Sequence, residues 1–277
     1  MTHYSTLHTH TDSGIHTILL NRPEKRNALT PQLIEDLTQA LETAASHDHS
    51  CVVIITGAGS SFCAGLDLEH LRSLALTAGQ PTAVESYRAD TERIATLLRT
   101  LYCLPKPTIA AVNGPAIAGG MGIATLCDFT LAVPEAKFGY TEVRIGFVPA
   151  IVSAFLRAQI GDKRSRELLL SGRLISAVEA HDLGLVTRIY PEPDLMREAR
   201  ALATHLLRNS PAAMEATKRL LSRYADRTLP EDIEAAVRAN IDARSTDDFR
   251  EGVSAFLEKR EPQWPSLHTP RNGGTTR

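Results

Sequence analysis

The sequence predicts an α/β fold with a layered core followed by a helical C-terminal part. Over the first half of the 277-residue chain, apolar strand patterns alternate with amphipathic helical patterns, and this order is typical of an α/β core. After about Ile189 four helical patterns follow one another without strands between them. We therefore expect a flexible N-terminus over 1–14, a core over 15–192, a helical subdomain over 193–262 and a disordered tail over 263–277.

The elements of the core follow from local patterns. Residues 15–20 (IHTILL) form a strand, and Thr30 caps a helix whose first residue is Pro31. The run CVVIIT is continuously apolar and rich in β-branched residues, so it predicts a buried strand. A long helix is expected over 84–104, where Pro105 and Pro107 end it. TIAAVNG and FTLAV are two further strands.

Start signals divide the C-terminal part into helices. Ser210-Pro211, Pro230-Glu231 and Thr246 with two following aspartates each mark a helix N-terminus. The last stretch, PSLHTPRNGGTTR, is rich in proline, glycine and threonine, which predicts disorder.

Composition narrows the class of protein. Hydrophobic residues make up 43% and charged residues 22%, with a formal net charge of −2, so nothing favours a nucleic-acid or membrane partner. The polar start is not a secretory signal, and no apolar run approaches the roughly 20 residues of a membrane span. These observations predict a cytoplasmic location.

Histidine and cysteine do not suggest a metal or redox site. Cys51, Cys63, Cys103 and Cys127 form no C-x-x-C pair and have apolar neighbours, so we expect reduced thiols in the core. The histidines near the N-terminus have no carboxylate or cysteine at ligand spacing. We expect no metal and no cofactor.

Three segments are candidates for the functional site: SFCAGLDLEHL, AVNGPAIAGGMGIATLCD and AKFGYTEVRIGFVP. In the first two, a small-residue turn opens a helix, where unpaired N–H groups carry partial positive charge. Two such turns can aim a pair of N–H groups at one oxygen, which is an oxyanion hole suited to a thioester enolate. Neither turn matches a phosphate-binding glycine motif, so nucleotide hydrolysis and dinucleotide redox chemistry lose support.

Together, LNRPEKRNAL, SFCAGLDL, AVNGPAIAGG and FGYTEVRIGFVP resemble the enoyl-CoA hydratase/isomerase (crotonase) family over about residues 15–264. The resemblance implies an α/β spiral of ββα units with a C-terminal helical trimerisation subdomain. It also implies an acyl-CoA substrate and a homotrimer or dimer of trimers.

Site residues follow from the same resemblance. The two oxyanion-hole amides fall on Leu66 and Gly119, and the acid/base falls on Glu142. The second glutamate that many hydratases use falls on Gly122, where we expect only backbone groups near a water site. CoA contacts are expected at the following positions: Arg22, Lys25, Ala64, Asp67, Leu68, Phe256 and Lys259.

The resemblance favours a hydratase that adds water in a syn sense to a 2-enoyl-CoA and gives a 3-hydroxyacyl-CoA. Glu142 alone also suffices for a Δ3,Δ2-enoyl-CoA isomerase, because one base can move the proton from the α- to the γ-carbon. A third alternative is a CoA- or RNA-binding protein without catalysis, which the net charge disfavours. We expect the acyl group to contact the stretch 68–87.

Overall fold

The computed structural model describes residues 4–46, 51–77, 80, 83–225 and 229–265. The predicted mixed α/β class is confirmed. Strands β1 to β9 cover Leu7–Asp12, Ile15–Leu20, Val52–Gly57, Thr108–Val112, Ala116–Ile117, Phe129–Ala132, Lys137–Gly139, Ile175–Ser176 and Arg188–Ile189. Helices α1 to α10 cover Pro31–Ser46, Leu68–Leu76, Ala83–Tyr102, Gly119–Leu126, Ala150–Ser171, Ala177–Asp182, Glu192–Leu206, Pro211–Ala225, Leu229–Arg244 and Asp247–Glu258.

The main sheet has the order β1-β2-β3-β4-β6-β9, and every neighbouring pair except β1 and β2 is parallel. Its central strands β3 and β4 are fully buried, as their continuous apolar runs predict. A second, small sheet has the order β5-β7-β8. β5 of this sheet follows β4 along the chain, and β7 leads directly into the segment that carries Glu142.

The prediction of a flexible N-terminus over residues 1–14 is wrong for the residues that the structure describes. β1 pairs with β2 along its whole length, from Leu7 opposite Leu20 to Asp12 opposite Ile15. Asp36 of α1 also accepts hydrogen bonds from the backbone N–H groups of Ser5 and Thr6, both at 3.0 Å. The sequence of this segment predicts a solvated tail because β1 is an edge strand with polar residues on its outer face.

The four C-terminal helices are confirmed as α7 to α10. α7 nevertheless packs on the core, because Leu195, Ala199 and Ala203 are buried with the residues of the main sheet. α10 returns to pack against α2 and the segment after Glu142, where Gly252 lies against the backbone of Ile145. Most of the predicted disordered tail, residues 266–277, lies outside the described residues.

Two cysteines depart from the prediction of a uniform core role. Cys63 and Cys127 are buried, but Cys51 is half-buried and Cys103 is exposed. Within the described ranges, no helix is long and apolar enough to cross a membrane.

Candidate active site

The first site segment runs beside the chain that precedes α1. Leu29 donates its N–H to the Gly65 carbonyl at 2.7 Å, and its own carbonyl accepts from the Asp67 N–H at 3.0 Å. This is the pattern of a parallel bridge between Leu29 and Leu66. In such a bridge the N–H of the central residue points away from the partner strand. The Leu66 N–H is therefore directed to the side opposite Leu29, while Asp67 caps α2.

The second site segment enters α4 through an unusual turn. Ala118 has a φ of +51°, and its N–H donates to the Gly139 carbonyl at 2.7 Å. Gly119 is the first residue of α4. Its N–H consequently belongs to the first turn, where helix geometry provides no acceptor and the local partial charge is positive.

Two glycines allow these segments to touch. Gly65 has a φ of +85°, and a Cβ there would lie 2.9 Å from the Ala118 Cβ. A Cβ on Gly120 would overlap the carbonyl oxygen of Cys63. The Ile117 N–H also donates to that same carbonyl at 2.9 Å. The structure thus brings the segments that bear the Leu66 and Gly119 N–H groups into direct contact, as an oxyanion hole requires.

Glu142 reaches the same place through β7. In the pairing of β5 with β7, Gly139 stands opposite Ile117, so the chain that leaves β7 passes the start of α4. Glu142 follows three residues later, at the start of a 3-10 turn over Glu142–Ile145, and is buried with 8% exposure.

The Glu142 carboxyl sits in an environment that favours its neutral form. Among the described residues, Oε2 has no hydrogen-bond partner. Burial raises the pKa of Glu142 from 4.5 to about 7, and only a hydrogen bond from its own backbone N–H opposes this shift. A carboxyl with that pKa can both accept and return a proton near neutral pH.

Gly122 uses its N–H inside helix α4. Its N–H donates to the Ala118 carbonyl at 3.0 Å, inside the first turn of α4. A Cβ on Gly122 would lie 2.9 Å from Val152 Cγ1 and 3.6 Å from Leu98 Cδ1. The place of a second acid therefore has apolar side chains as its nearest neighbours, and a water site near Gly122 stays a prediction.

Comparison with known proteins identifies the family of this chain. The family model described as enoyl-CoA hydratase/isomerase matches residues 10–267. The chain belongs to the enoyl-CoA hydratase/isomerase family.

Individual relatives cover nearly the whole chain. A Thermus thermophilus protein with a provisional enoyl-CoA hydratase name is 42% identical over 247 residues, 89% of this chain and 96% of the relative. A Mycobacterium tuberculosis protein with a similar provisional name is 36% identical over 262 residues, 94% and 98% of the two chains. The solved enoyl-CoA hydratase/isomerase of Xanthobacter autotrophicus Py2 superposes with a TM-score of 0.85 at 30% identity, and the match covers 97% of this chain and all of that one. The crotonase-type core is thereby confirmed.

The residues expected to contact CoA lie in two places. Arg22, Lys25, Ala64, Asp67 and Leu68 gather around the first site segment. There Arg22 donates from Nη1 to the Ala28 carbonyl at 2.5 Å and pairs with Asp67 at 3.5 Å. Lys25 pairs with Glu69 at 3.3 Å. These acceptors belong to the protein, so a phosphate has to compete with them for both cations.

Phe256 and Lys259 lie apart from this group, at the end of α10. Phe256 is 54% exposed, and Lys259 adopts a left-handed conformation that ends the helix. Their contact with CoA, from this chain or from a neighbouring one, stays a prediction.

Cys63, although it lies within the first site segment, is not a nucleophile. Complete burial raises the pKa of its thiol to about 12, which keeps it protonated.

Sequence reasoning missed one more buried carboxyl near the site. Asp90 of α3 accepts from His70 Nε2 at 2.7 Å and pairs with Arg244 of α9 at 2.7 Å. The Arg244 guanidinium lies 5.2 Å from the centre of the Phe147 ring. The available signal was a charged residue at a buried position of each of the helices α3 and α9. Nothing in the sequence indicated that these two residues pair.

Proposed function

We propose that the protein is an enoyl-CoA hydratase that uses Glu142 as its single acid/base. The observation that carries this proposal is the buried Glu142 carboxyl, whose Oε2 has no hydrogen-bond partner among the described residues, beside two contacting segments with outward N–H groups. Family membership supplies the substrate class, because the model and the relatives carry enoyl-CoA hydratase names.

The proposed reaction assigns one task to each group. The N–H groups of Leu66 and Gly119 stabilise the oxygen of the thioester as it becomes an enolate, which is worth several kcal/mol in comparable sites. Ionised Glu142 takes a proton from water as hydroxide adds to the β-carbon. It then returns that proton to the α-carbon, on the same face, which gives the 3-hydroxyacyl-CoA. No metal or redox cofactor takes part in this scheme.

The apolar surroundings of Gly122 favour a second candidate, Δ3,Δ2-enoyl-CoA isomerase. Val152 and Leu98, not polar groups, are the side chains nearest to the place of a second acid. An isomerase needs none, since Glu142 alone can remove the α-proton and deliver it to the γ-carbon. The two functions differ in whether the oxygen of water enters the product.

A product assay separates these candidates. The protein is incubated with crotonyl-CoA in H₂¹⁸O, and with 3-hexenoyl-CoA in ordinary water. The products are analysed by liquid chromatography, which separates the two hexenoyl-CoA isomers, coupled to mass spectrometry. Hydratase function predicts 3-hydroxybutyryl-CoA that carries ¹⁸O. If crotonyl-CoA stays unchanged while 3-hexenoyl-CoA becomes 2-hexenoyl-CoA without a gain of water, the isomerase is correct. If neither substrate reacts, the third alternative of binding without catalysis replaces both.

The proposed assembly is a homotrimer or a dimer of trimers. Exposed apolar side chains on the C-terminal helices support it, among them Leu220 and Leu221 of α8 and Phe256 of α10. Sedimentation velocity on the full chain tests the proposal. A sedimentation coefficient of a monomer would contradict it, because these apolar side chains would then need no association to cover them.

A further inference from the structure

A buried charged cluster lies next to the proposed active site and has no part in the acid/base chemistry. We call His70, Asp90, Arg93 and Arg244 the Asp90 cluster. The Arg244 side chain has no exposed surface, and that of Asp90 is 3% exposed. His70 and Arg93 approach the other carboxylate oxygen, at 2.7 and 3.4 Å, and the Arg93 side chain is 31% exposed.

Hydrogen-bond donors outnumber acceptors in this cluster. Arg244 Nη2 lies 2.7 Å from Asp90 Oδ2 as an ion pair, without the alignment of a hydrogen bond. Its Nε and Nη1 are buried and have no hydrogen-bond partner among the described residues. These two nitrogens carry three N–H groups. Buried donors without acceptors are costly and rare in folded proteins, so they call for a partner.

An apolar group connects the cluster to the segments that carry Leu66 and Glu142. His70 stands one helical turn beyond Leu66, on α2. Leu66, Ile145 and Phe147 pack in one apolar group with residues of α2, α9 and α10. Phe147 also donates its N–H to the Glu142 carbonyl at 3.0 Å. The apolar group that contains Leu66 and the residues just after Glu142 therefore extends to the guanidinium over the Phe147 ring.

We propose that Arg244 is a specificity-determining residue that binds a carboxylate at the far end of the substrate's acyl group. A purely apolar tail leaves the Nε and Nη1 donors unpaired, whereas a carboxylate matches the planar donor fork of a guanidinium. Because Arg244 is enclosed, apolar side chains around Phe147 must shift to admit the carboxylate. The inference rests on the proposed function, since only an acyl-CoA substrate brings a chain to this place.

Two guanidinium groups approach Asp90, and burial decides between them. Arg93 has a second partner, Glu35, at 3.0 Å, and its side chain is partly solvated. Within the described part of the chain, Arg244 has only Asp90 as an ion-pair partner, and its side chain has no exposed surface. Arg93 therefore serves as the matched control for any effect of Arg244.

The first test needs no turnover and no variant. Isothermal titration compares saturated acyl-CoA thioesters of equal length, with succinyl-, glutaryl- and adipyl-CoA set against butyryl-, pentanoyl- and hexanoyl-CoA. We expect the carboxylated thioester to bind at least about tenfold more tightly at one length or more. Equal or weaker binding of the carboxylated member at all three lengths overturns the proposal. Because the ligands are not hydrated, this result is independent of whether the hydratase assignment holds.

The second test assigns the preference to Arg244. In Arg244→Met the binding ratio between carboxylated and uncharged thioesters falls to about one or below, whereas Arg93→Met keeps the wild-type ratio. A folded Arg244→Met that retains the preference contradicts the assignment and leaves Arg244 a purely structural residue. Circular dichroism melts establish whether each variant is folded. If Arg244→Met does not fold, the titration of the wild-type protein still tests the proposal.

Discussion

Glu142 and Asp90 are two buried carboxyls with opposite surroundings. Among the described residues, one carboxylate oxygen of Glu142 has no hydrogen-bond partner, and burial raises the pKa of Glu142 to about 7. Burial also acts to raise the pKa of Asp90, but the hydrogen bond from His70 and the charge of Arg244 outweigh it, and the net pKa is lowered. The same functional group is thus adjusted to exchange protons at one position and to stay ionised at the other.

The difference teaches how neighbours assign a role to a carboxyl. A group that must accept and return a proton needs the two protonation states to be close in free energy near neutral pH. A group that holds helices together needs its charge to be permanent and surrounded by donors. Asp90 joins α2, α3 and α9 in this way.

The largest expected effect is on the rate of hydration, when the proton-transfer role of Glu142 is removed. Glu142→Gln keeps the shape of the side chain but cannot accept a proton, so hydration of crotonyl-CoA should slow by about 10³-fold or more. Loss of the enoyl absorbance measures the rate. Glu135→Gln removes an exposed carboxyl from the preceding turn and should leave the rate unchanged. A Glu142→Gln rate within tenfold of wild type contradicts the role of this residue.

The next effect breaks the structural role. Asp90→Asn leaves Arg244 as an uncompensated buried charge, so the free energy of unfolding should fall by about 3–5 kcal/mol. Urea denaturation followed by circular dichroism measures this change. The control, Asp162→Asn, breaks the exposed pair with Arg166 and should leave the free energy of unfolding almost unchanged. Equal losses in the two variants are incompatible with the comparison.

Stability against pH sharpens the comparison. The folded-state pKa of Glu142 is about 7 and its ordinary value is 4.5, so above pH 4.5 the unfolded chain loses this proton first. Stability should therefore fall as pH rises through this window, by roughly 3 kcal/mol once pH exceeds 8. Glu142→Gln removes this term. The difference in unfolding free energy between variant and wild type should grow in favour of the variant from pH 5 to pH 8.5, and a constant difference refutes the assigned pKa.

The smallest effect concerns the rate. The ionised form of Glu142 begins the reaction, so kcat/KM for crotonyl-CoA should rise about tenfold per pH unit below pH 7 and level off above it. A profile that is flat between pH 5.5 and 8 is inconsistent with a pKa near 7. The buried Asp90 carboxyl contributes nothing in this range, because its pKa is lowered.

The sequence by itself determined the elements whose patterns are local. The continuous apolar runs located β3 and β4, proline and cap residues located the helices α7 to α10, and the ordered motifs located Glu142, Leu66 and Gly119. The sequence did not predict β1, because a polar edge strand is stabilised by its pairing with β2 and not by its own residue pattern.

Only the tertiary structure decided how distant residues share a space. It placed Val152 and Leu98 over Gly122, so the missing second glutamate is matched by an apolar wall and not by a polar gap. It also joined Asp90 to Arg244, from opposite halves of the chain. Local periodicity marks which face of a helix is buried, but the partner of a buried charge depends on how α3, α9 and the loop after Glu142 pack together.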